Sequence, residues 1–319
     1  MAVVGVGAVG GYFGGRMAQA GIDVVFVARG ATYEALRRDG LRVESVAGDF
    51  AIAPAQIVRT AEEAERADAV VLGVKAWQVG ELADSLRPLV ERGAFVIPLQ
   101  NGVEVPGQLA ALLGAGAVVG GYCRIGSTAV GPGHIRHGWH GLQAPLLAIG
   151  ELDNSASPRL ERLLAELARC TGFEARHEPD IEAAMWGKFA FLAPFSALGA
   201  TERAPLGELR SAPRTRRLLI AAIEEVVRVG RARGVALEPG VIESTIANGD
   251  ALPPAAMASM ARDVIAGRPS EVDALVDAVP RLGRAAGVAT PVFDGFASAL
   301  APVERAARER GAQGQRCQR

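Results

Sequence analysis

Of the 34 basic residues in this 319-residue chain, only Lys75 and Lys188 are lysine; the rest are arginine. Arginine has filled the ordinary basic positions, so a surviving lysine marks a place where arginine does not serve. An ammonium is compact and can give up its proton, whereas a guanidinium stays charged. Lys188 stands in Met185-Trp186-Gly187-Lys188-Phe189-Ala190-Phe191-Leu192, where every neighbour is apolar or small. A charge inside an apolar helix is costly unless it faces a cleft or a partner. Burial there would make the lysine a usable acid near neutrality. The blander alternative is a lysine that snorkels from the edge of a packed helix. Glu271, in Gly267-Arg268-Pro269-Ser270-Glu271-Val272-Asp273, reads first as part of a helix start, with Ser270 as N-cap and acids favoured by the helix dipole. His134, His137 and His140 lie close together, but no carboxylate or cysteine joins them, and no metal site is expected.

The elements that must position these groups begin at the N-terminus. Residues 2–6 are an apolar run that reads as a buried strand, followed at once by Gly5-x-Gly7-x-x-Gly10. A helix over 12–20 and a second apolar strand over 24–27 complete a strand, glycine turn, helix, strand unit. That is the context the dinucleotide fingerprint needs, with the backbone of Gly5, Gly7, Ala8, Val9 and Gly10 around the pyrophosphate. The second strand ends Phe26-Val27-Ala28-Arg29-Gly30, without the acid that would bind the ribose hydroxyls of NAD. Arg29 stands where a cation would meet a ribose 2′-phosphate, so NADP is expected rather than NAD. Lys75 follows an apolar strand over 69–74, and Asn101 follows another over 95–99. Both fall on the carboxyl edge of a parallel sheet, where ligands bind. The Asn101 amide can serve the nicotinamide or a substrate carbonyl, or only a tight Asn-Gly turn.

The alternation continues with capping-box spacing from Thr60 to Glu63, which predicts a short helix, and a further strand at 118–119. Residues 124–136 carry Gly131-Pro132-Gly133 at their middle, a hairpin signal; 146–149 reads as another strand. Ser157-Pro158 opens a helix that stops at Gly172. Beyond 179 only helices are expected, over 181–200, 214–233, 254–266, 270–286 and 291–310. The expected fold is α/β: a Rossmann-type doubly wound sheet domain (1–176), then an all-helical domain (177–310) carrying the catalytic groups, then a polar frayed tail (311–319). The 34 basic and 35 acidic residues give a net charge of −1, which speaks against a general nucleic-acid or anionic-membrane binder. No apolar run reaches the roughly 18 residues of a membrane span. Three cysteines, Cys123, Cys170 and Cys317, have no metal spacing and are too few for a disulfide framework, so a reducing, cytoplasmic compartment is expected.

The chain resembles the ketopantoate reductase (2-dehydropantoate 2-reductase) family from the glycine fingerprint to Asp273. The matching segments are GVGAVGGYFGGRMA, the VAR at 27–29, GVKAWQ around Lys75, LQNGVE around Asn101, WGKFAF around Lys188, and SMARDVIAGRPSEVD from Ser259 to Asp273. The resemblance implies a Rossmann domain, a helical second domain, NADPH, and reduction of a 2-oxo acid. It matches the family's catalytic lysine to Lys188, its catalytic glutamate to Glu271, its active-site asparagine to Asn101 and its substrate-binding serine to Ser259. Family asparagines four and eight residues after the lysine are replaced by Leu192 and Ser196, and one three residues before the serine by Ala256. Leu192 and Ser196 fall on the face of Lys188 and are expected to line a substrate pocket more apolar than the family's usual one.

The expected reaction is therefore NADPH-dependent reduction of ketopantoate to pantoate. The second expectation keeps the chemistry and takes a bulkier, more apolar 2-oxo acid, as a D-2-hydroxy-acid dehydrogenase would. The third is an NADP-binding sensor without turnover. The expected partner is the small-molecule substrate, with no nucleic acid and no membrane. A homodimer is compatible with the sequence, which does not fix the assembly.

Overall fold

The computed structural model describes residues 1–53, 56–138 and 144–316. The chain divides into two compact units: Met1–Gln100 with Glu104–Ile181, and Asn101–Val103 with Glu182–Arg319.

The first unit opens with β1 (Ala2–Val4), α1 (Ala8–Gln19), β2 (Val25–Val27), α2 (Gly30–Asp39), β3 (Leu41–Ser45), β4 (Phe50–Ile52), β5 (Gln56–Val58) and β6 (Ala69–Leu72). It continues with α3 (Val79–Glu91), β7 (Phe95–Pro98), α4 (Val105–Leu113), β8 (Val119–Arg124), β9 (Ser127–Gly131), β10 (His134–His137), β11 (Leu146–Glu151), α5 (Pro158–Leu167) and β12 (Glu174–His177). Five strands form a parallel sheet in the order β5-β2-β1-β6-β7. Every residue of β1, β6 and β7 is buried, as a parallel strand covered on both faces requires, which is why these strands read as unbroken apolar runs. The expected Rossmann-type sheet is present, but the remaining strands lie outside it. They form a four-stranded sheet, β4-β3-β10-β9, and a three-stranded one, β12-β11-β8. The expected hairpin is β9–β10, turning at Pro132-Gly133, where Gly133 has φ +67°. Its histidines are structural: His134 Nε2 lies 2.9 Å from Glu44 Oε1, and His137 Nδ1 lies 2.8 Å from Ser45 Oγ. His140 and Cys317 lie outside the described residues. On α5, Arg159 grips the Glu151 carboxylate with Nε at 2.7 Å and Nη2 at 2.5 Å.

The second unit is helical: α6 (Ile181–Glu202, all but its first residue), α7 (Leu206–Ser211), α8 (Pro213–Ala232), α9 (Val241–Ala251), α10 (Ser259–Ile265), α11 (Ala278–Ala285) and α12 (Pro291–Arg316). Its core joins Trp186 and Phe189 of α6 to Val226 and Val227 of α8, Met260 of α10, Leu275, and Phe293 and Phe296 of α12. Val103, from the three-residue excursion, packs against the same core.

Four local expectations need correction. Thr60 and Glu63 do pair, with Thr60 N and Oγ both 3.1 Å from Glu63 Oε1, but no helix follows. Only five residues separate Glu63 from β6, too few to recover the cost of a helix nucleus. The helix expected from 254 begins only at Ser259, because the carbonyls of Pro254 and Ala256 accept the N–H groups of Gly207 and Leu206 at the start of α7. Ser270 is not an N-cap: its hydroxyl donates to Glu304, and the helix starts after it through a π turn at Asp273–Asp277. Helix α12 extends past 310 to Arg316, with Gly311 against the Pro269 ring and Arg310 donating to the Gly267 carbonyl.

Candidate active site

Helix α6 is mostly apolar and mostly buried, so a charge in its middle needs a partner. Lys188 is half-buried among Met185, Trp186, Phe189 and Ala190, which are buried. Its Nζ donates to Asn101 Oδ1 at 2.9 Å. Asn101 Nδ2 in turn donates to Glu271 Oε2 at 3.1 Å. Glu271 is 4% exposed, so this carboxylate is almost removed from water. The three residues that could act on a carbonyl are thus strung ammonium, amide, carboxylate, all within the second unit.

Local backbone explains how they meet. Gly102 has φ +100°, and a Cβ there would stand 2.9 Å from the Ala274 carbonyl oxygen. The Asn-Gly turn is therefore tight, and it lays the Asn101 amide beside the backbone that follows Glu271. That backbone is the π turn at Asp273–Asp277, and Leu275 N donates to the Glu271 carbonyl at 3.0 Å. Single π turns inside helices are rare and recur at functional sites.

The other expected substrate residues share the helical unit. Leu192, one turn after Lys188, is half-buried at the edge of the core, as is Ala256. Ser259 is half-buried at the first position of α10. Ser196 departs from the expectation. It has no exposed surface and its hydroxyl has no hydrogen-bond partner, so it offers nothing to a ligand in this structure.

The expected cofactor residues other than Asn101 lie in the first unit. Gly5 has φ +91°, and a Cβ there would collide with Val74 at 2.6 Å. A Cβ on Gly10 would stand 2.2 Å from the Gly5 carbonyl, whereas one on Gly7 would meet nothing within 4 Å. The turn is thus tight where strand and helix pack and open where a ligand would lie. Gly7 is the N-cap of α1; no side chain caps that helix, and its first turn has no acid, while Ala8 and Val9 begin it. This N-terminus fits a pyrophosphate, through its N–H groups and the helix dipole. Arg29 is exposed at the N-cap of α2, with Nε 3.4 Å from the Arg59 carbonyl. The first turn of α2 also lacks an acid. Lys75 follows β6, its main-chain N–H held by Gln78 Oε1 at 3.0 Å and its ammonium 5.9 Å from the Trp77 ring. Sequence reasoning missed Gln100, which is buried and ties β7 to β6 through bonds from Nε2 to the Leu72 and Val74 carbonyls. Among the described residues no group of His, Cys, Asp and Glu is arranged to hold a metal ion.

Comparison with known proteins agrees with this architecture. Residues 1–151 match the family model described as ketopantoate reductase PanE/ApbA, and residues 180–304 match its C-terminal model. The 2-dehydropantoate 2-reductase of Mesorhizobium japonicum is 31% identical, the match covering 97% of this chain and 98% of the relative. A crystal structure of a PanE/ApbA family ketopantoate reductase from Ralstonia eutropha superimposes with a TM-score of 0.86 at 28% identity, over 97% of this chain and 100% of that one. The structure of 2-dehydropantoate 2-reductase from Geobacter metallireducens gives a TM-score of 0.86 at 30% identity, over 95% and 99%. The chain belongs to the ketopantoate reductase family and is an oxidoreductase acting on CH–OH groups.

Proposed function

We propose that, as a member of this family, the protein reduces a 2-oxo acid to the 2-hydroxy acid with NADPH, and that the acid is ketopantoate (2-dehydropantoate), giving pantoate. The observation that carries the reading is the Lys188–Asn101–Glu271 string, with its buried carboxylate and its ammonium held by an amide oxygen. The relatives named 2-dehydropantoate 2-reductase support the choice of substrate.

When bound, the reduced nicotinamide supplies a hydride to the keto carbon. Lys188 polarises the keto oxygen and gives it a proton as negative charge develops there, then regains one from solvent. The Asn101 oxygen takes one of the three ammonium protons, which fixes the direction of the head group. Glu271 takes the Asn101 NH2 and so fixes the amide. Ser259 holds the substrate carboxylate. Arg29 would pair with the 2′-phosphate, Lys75 would serve the same cofactor, and the turn from Gly5 to Gly10 would receive the pyrophosphate.

A second reading keeps the reaction and takes a bulkier, more apolar 2-oxo acid. It is favoured by Leu192 and Ala256 at the edge of the core and by the enclosure of Ser196. Cysteine usage supports the reading of a reducing, cytoplasmic setting; a homodimer is the assembly to check by sedimentation. A panel of 2-oxo acids, with loss of NADPH absorbance as the readout, tests these readings together. Turnover of ketopantoate supports the first. Preference for an apolar acid supports the second. No turnover of any member would leave an NADP-binding protein without activity.

A further inference from the structure

Glu271 is positioned from an unexpected direction. The residue before it, Ser270, is completely buried, and α12 holds all three of its polar atoms. Glu304 accepts the Ser270 main-chain N–H with both carboxylate oxygens, each at 3.1 Å, and accepts the hydroxyl at 2.5 Å. Arg308, one turn along α12, donates Nε to Glu304 at 2.7 Å and Nη2 to the Ser270 carbonyl at 3.3 Å. Glu304 is 8% exposed. A carboxylate taken out of water is stabilised only where charge and hydrogen bonds answer it. Here the answer is one ion pair and one residue's polar atoms, and that residue immediately precedes Glu271.

We propose that Glu304, supported by Arg308, is a positioning residue for the reaction: through Ser270 it fixes the backbone from which Glu271 reaches Asn101. The inference rests on the role given to Glu271 under the proposed function. The peptide between Ser270 and Glu271 is gripped at its carbonyl by Arg308, and the preceding N–H is gripped by Glu304. The Glu271 carbonyl is gripped on the other side by Leu275 N. With both flanks fixed, the carboxylate has one place to stand. Releasing Ser270 frees the backbone just before Glu271, so the Asn101 amide loses a fixed acceptor and the Lys188 head group loses its direction.

The test compares Glu304→Ala, Glu304→Gln and Ser270→Ala with the unmutated enzyme and with Glu225→Gln. Glu225 is the control because it is likewise a buried carboxylate that anchors α12, accepting the N–H groups of Val292 and Phe293 at 2.8 and 3.0 Å, with no bond to Ser270. Turnover of ketopantoate and of 3,3-dimethyl-2-oxobutanoate with NADPH is measured well below each Tm. Glu304→Ala is expected to lower kcat about tenfold to a hundredfold, the scale of a misplaced catalytic group, with KM for NADPH unchanged. Glu304→Gln retains an oxygen for the Ser270 N–H, so it is expected to recover part of that kcat; it also carries the test if the alanine variant does not fold. Glu225→Gln is expected to lower Tm without lowering kcat. The inference is overturned if Glu304→Ala or, should that not fold, both Glu304→Gln and Ser270→Ala keep kcat within twofold. It is overturned equally if Glu225→Gln loses as much kcat at a similar Tm. Glu271→Gln separates the two failures. If that variant is inactive while the Glu304 variants are normal, only this inference falls. If Glu271→Gln is itself normal, the role proposed for Glu271 falls with it.

Discussion

Lys188 and Asn101, 87 residues apart in the chain, meet with the ammonium donating to the amide oxygen at 2.9 Å. Chemistry allows the amide no other orientation. Rotated by half a turn, it would set its NH2 against the ammonium and its oxygen against the Glu271 carboxylate, two mismatches in place of two bonds. Asn101 thus converts the position of Glu271 into a direction for Lys188. Lys188→Ala should lower turnover at least about a hundredfold, the low end for a lost general acid. Lys188→Arg should fail as well, since a guanidinium does not release its proton; near-normal activity in that variant would show that charge alone matters. Asn101→Ala should cost about 1.5–3 kcal/mol of hydrogen bonding to charged groups, or roughly tenfold to a hundredfold in kcat.

Arg29 should set the choice of cofactor. The end of β2 has no acid for ribose hydroxyls and an exposed guanidinium for a 2′-phosphate. The expected preference for NADPH over NADH is at least about tenfold, or about 1.4 kcal/mol. Arg29→Ala should erode it mainly through KM for NADPH. Equal use of the two cofactors by the unmutated enzyme would refute the assignment.

Leu192 should set the choice of substrate. It places an isobutyl group one turn from the Lys188 ammonium, where a substrate hydroxyl would find no partner, at a cost of about 1–3 kcal/mol. On the second reading, ketopantoate is then a poorer substrate than 3,3-dimethyl-2-oxobutanoate, which lacks the hydroxyl. Leu192→Asn should shift the ratio of kcat/KM values back toward ketopantoate. A strong preference for ketopantoate in the unmutated enzyme would remove Leu192 from this role.

Glu151 should govern part of the acid stability. Burial would push its carboxyl up, but the Arg159 ion pair and the Ser157 hydroxyl override that and hold it below its ordinary range. A carboxyl lowered on folding stabilises the protein above its unfolded-state pKa, and this is lost as pH falls through the folded-state value. Arg159→Ala should therefore cost about 1–3 kcal/mol near neutrality and less in acid. Urea unfolding near neutral pH and at about pH 3 measures the difference. An equal cost at both would mean that Arg159 acts through its bond to the Gly116 carbonyl and its contact with the Phe95 ring, not through the Glu151 ion pair.

The parts legible in the sequence were those fixed by local backbone chemistry. The fingerprint could be read because Gly5 needs a positive φ and Gly10 a close approach, and both demands show as residue types. Lys188 could be read because an ammonium in an apolar helix has few bland explanations. Glu271 was different: its residues alone suggested a helix start, and only the family resemblance raised it. Glu304 and Arg308 were illegible because, within the charged run 304–310, they look like a solvated helix face. Their burial depends on where α12 packs, which no local pattern states. Strands β3 and β4 were missed for a related reason. In β3 the polar Arg42 and Glu44 interrupt the apolar residues and one partner, β10, lies far along the chain, while β4 is only three residues long and pairs with β3 alone.

The brief passage of Asn101–Val103 through the helical unit bears on how this enzyme could have been assembled or taken apart. Division of the gene near codon 181 would give two fragments, each with most of a fold but neither with the whole Lys188–Asn101–Glu271 string. The nucleotide-binding fragment would carry an asparagine without its lysine and glutamate, and the helical fragment the reverse. Exchange of either half between distant relatives would meet the same obstacle. A borrowed helical half would have to accept its new neighbour's Asn-Gly turn, with Gly102 fitted against the carbonyl at position 274. The two halves are therefore expected to descend together, as one unit of inheritance, even where the substrate they serve has changed.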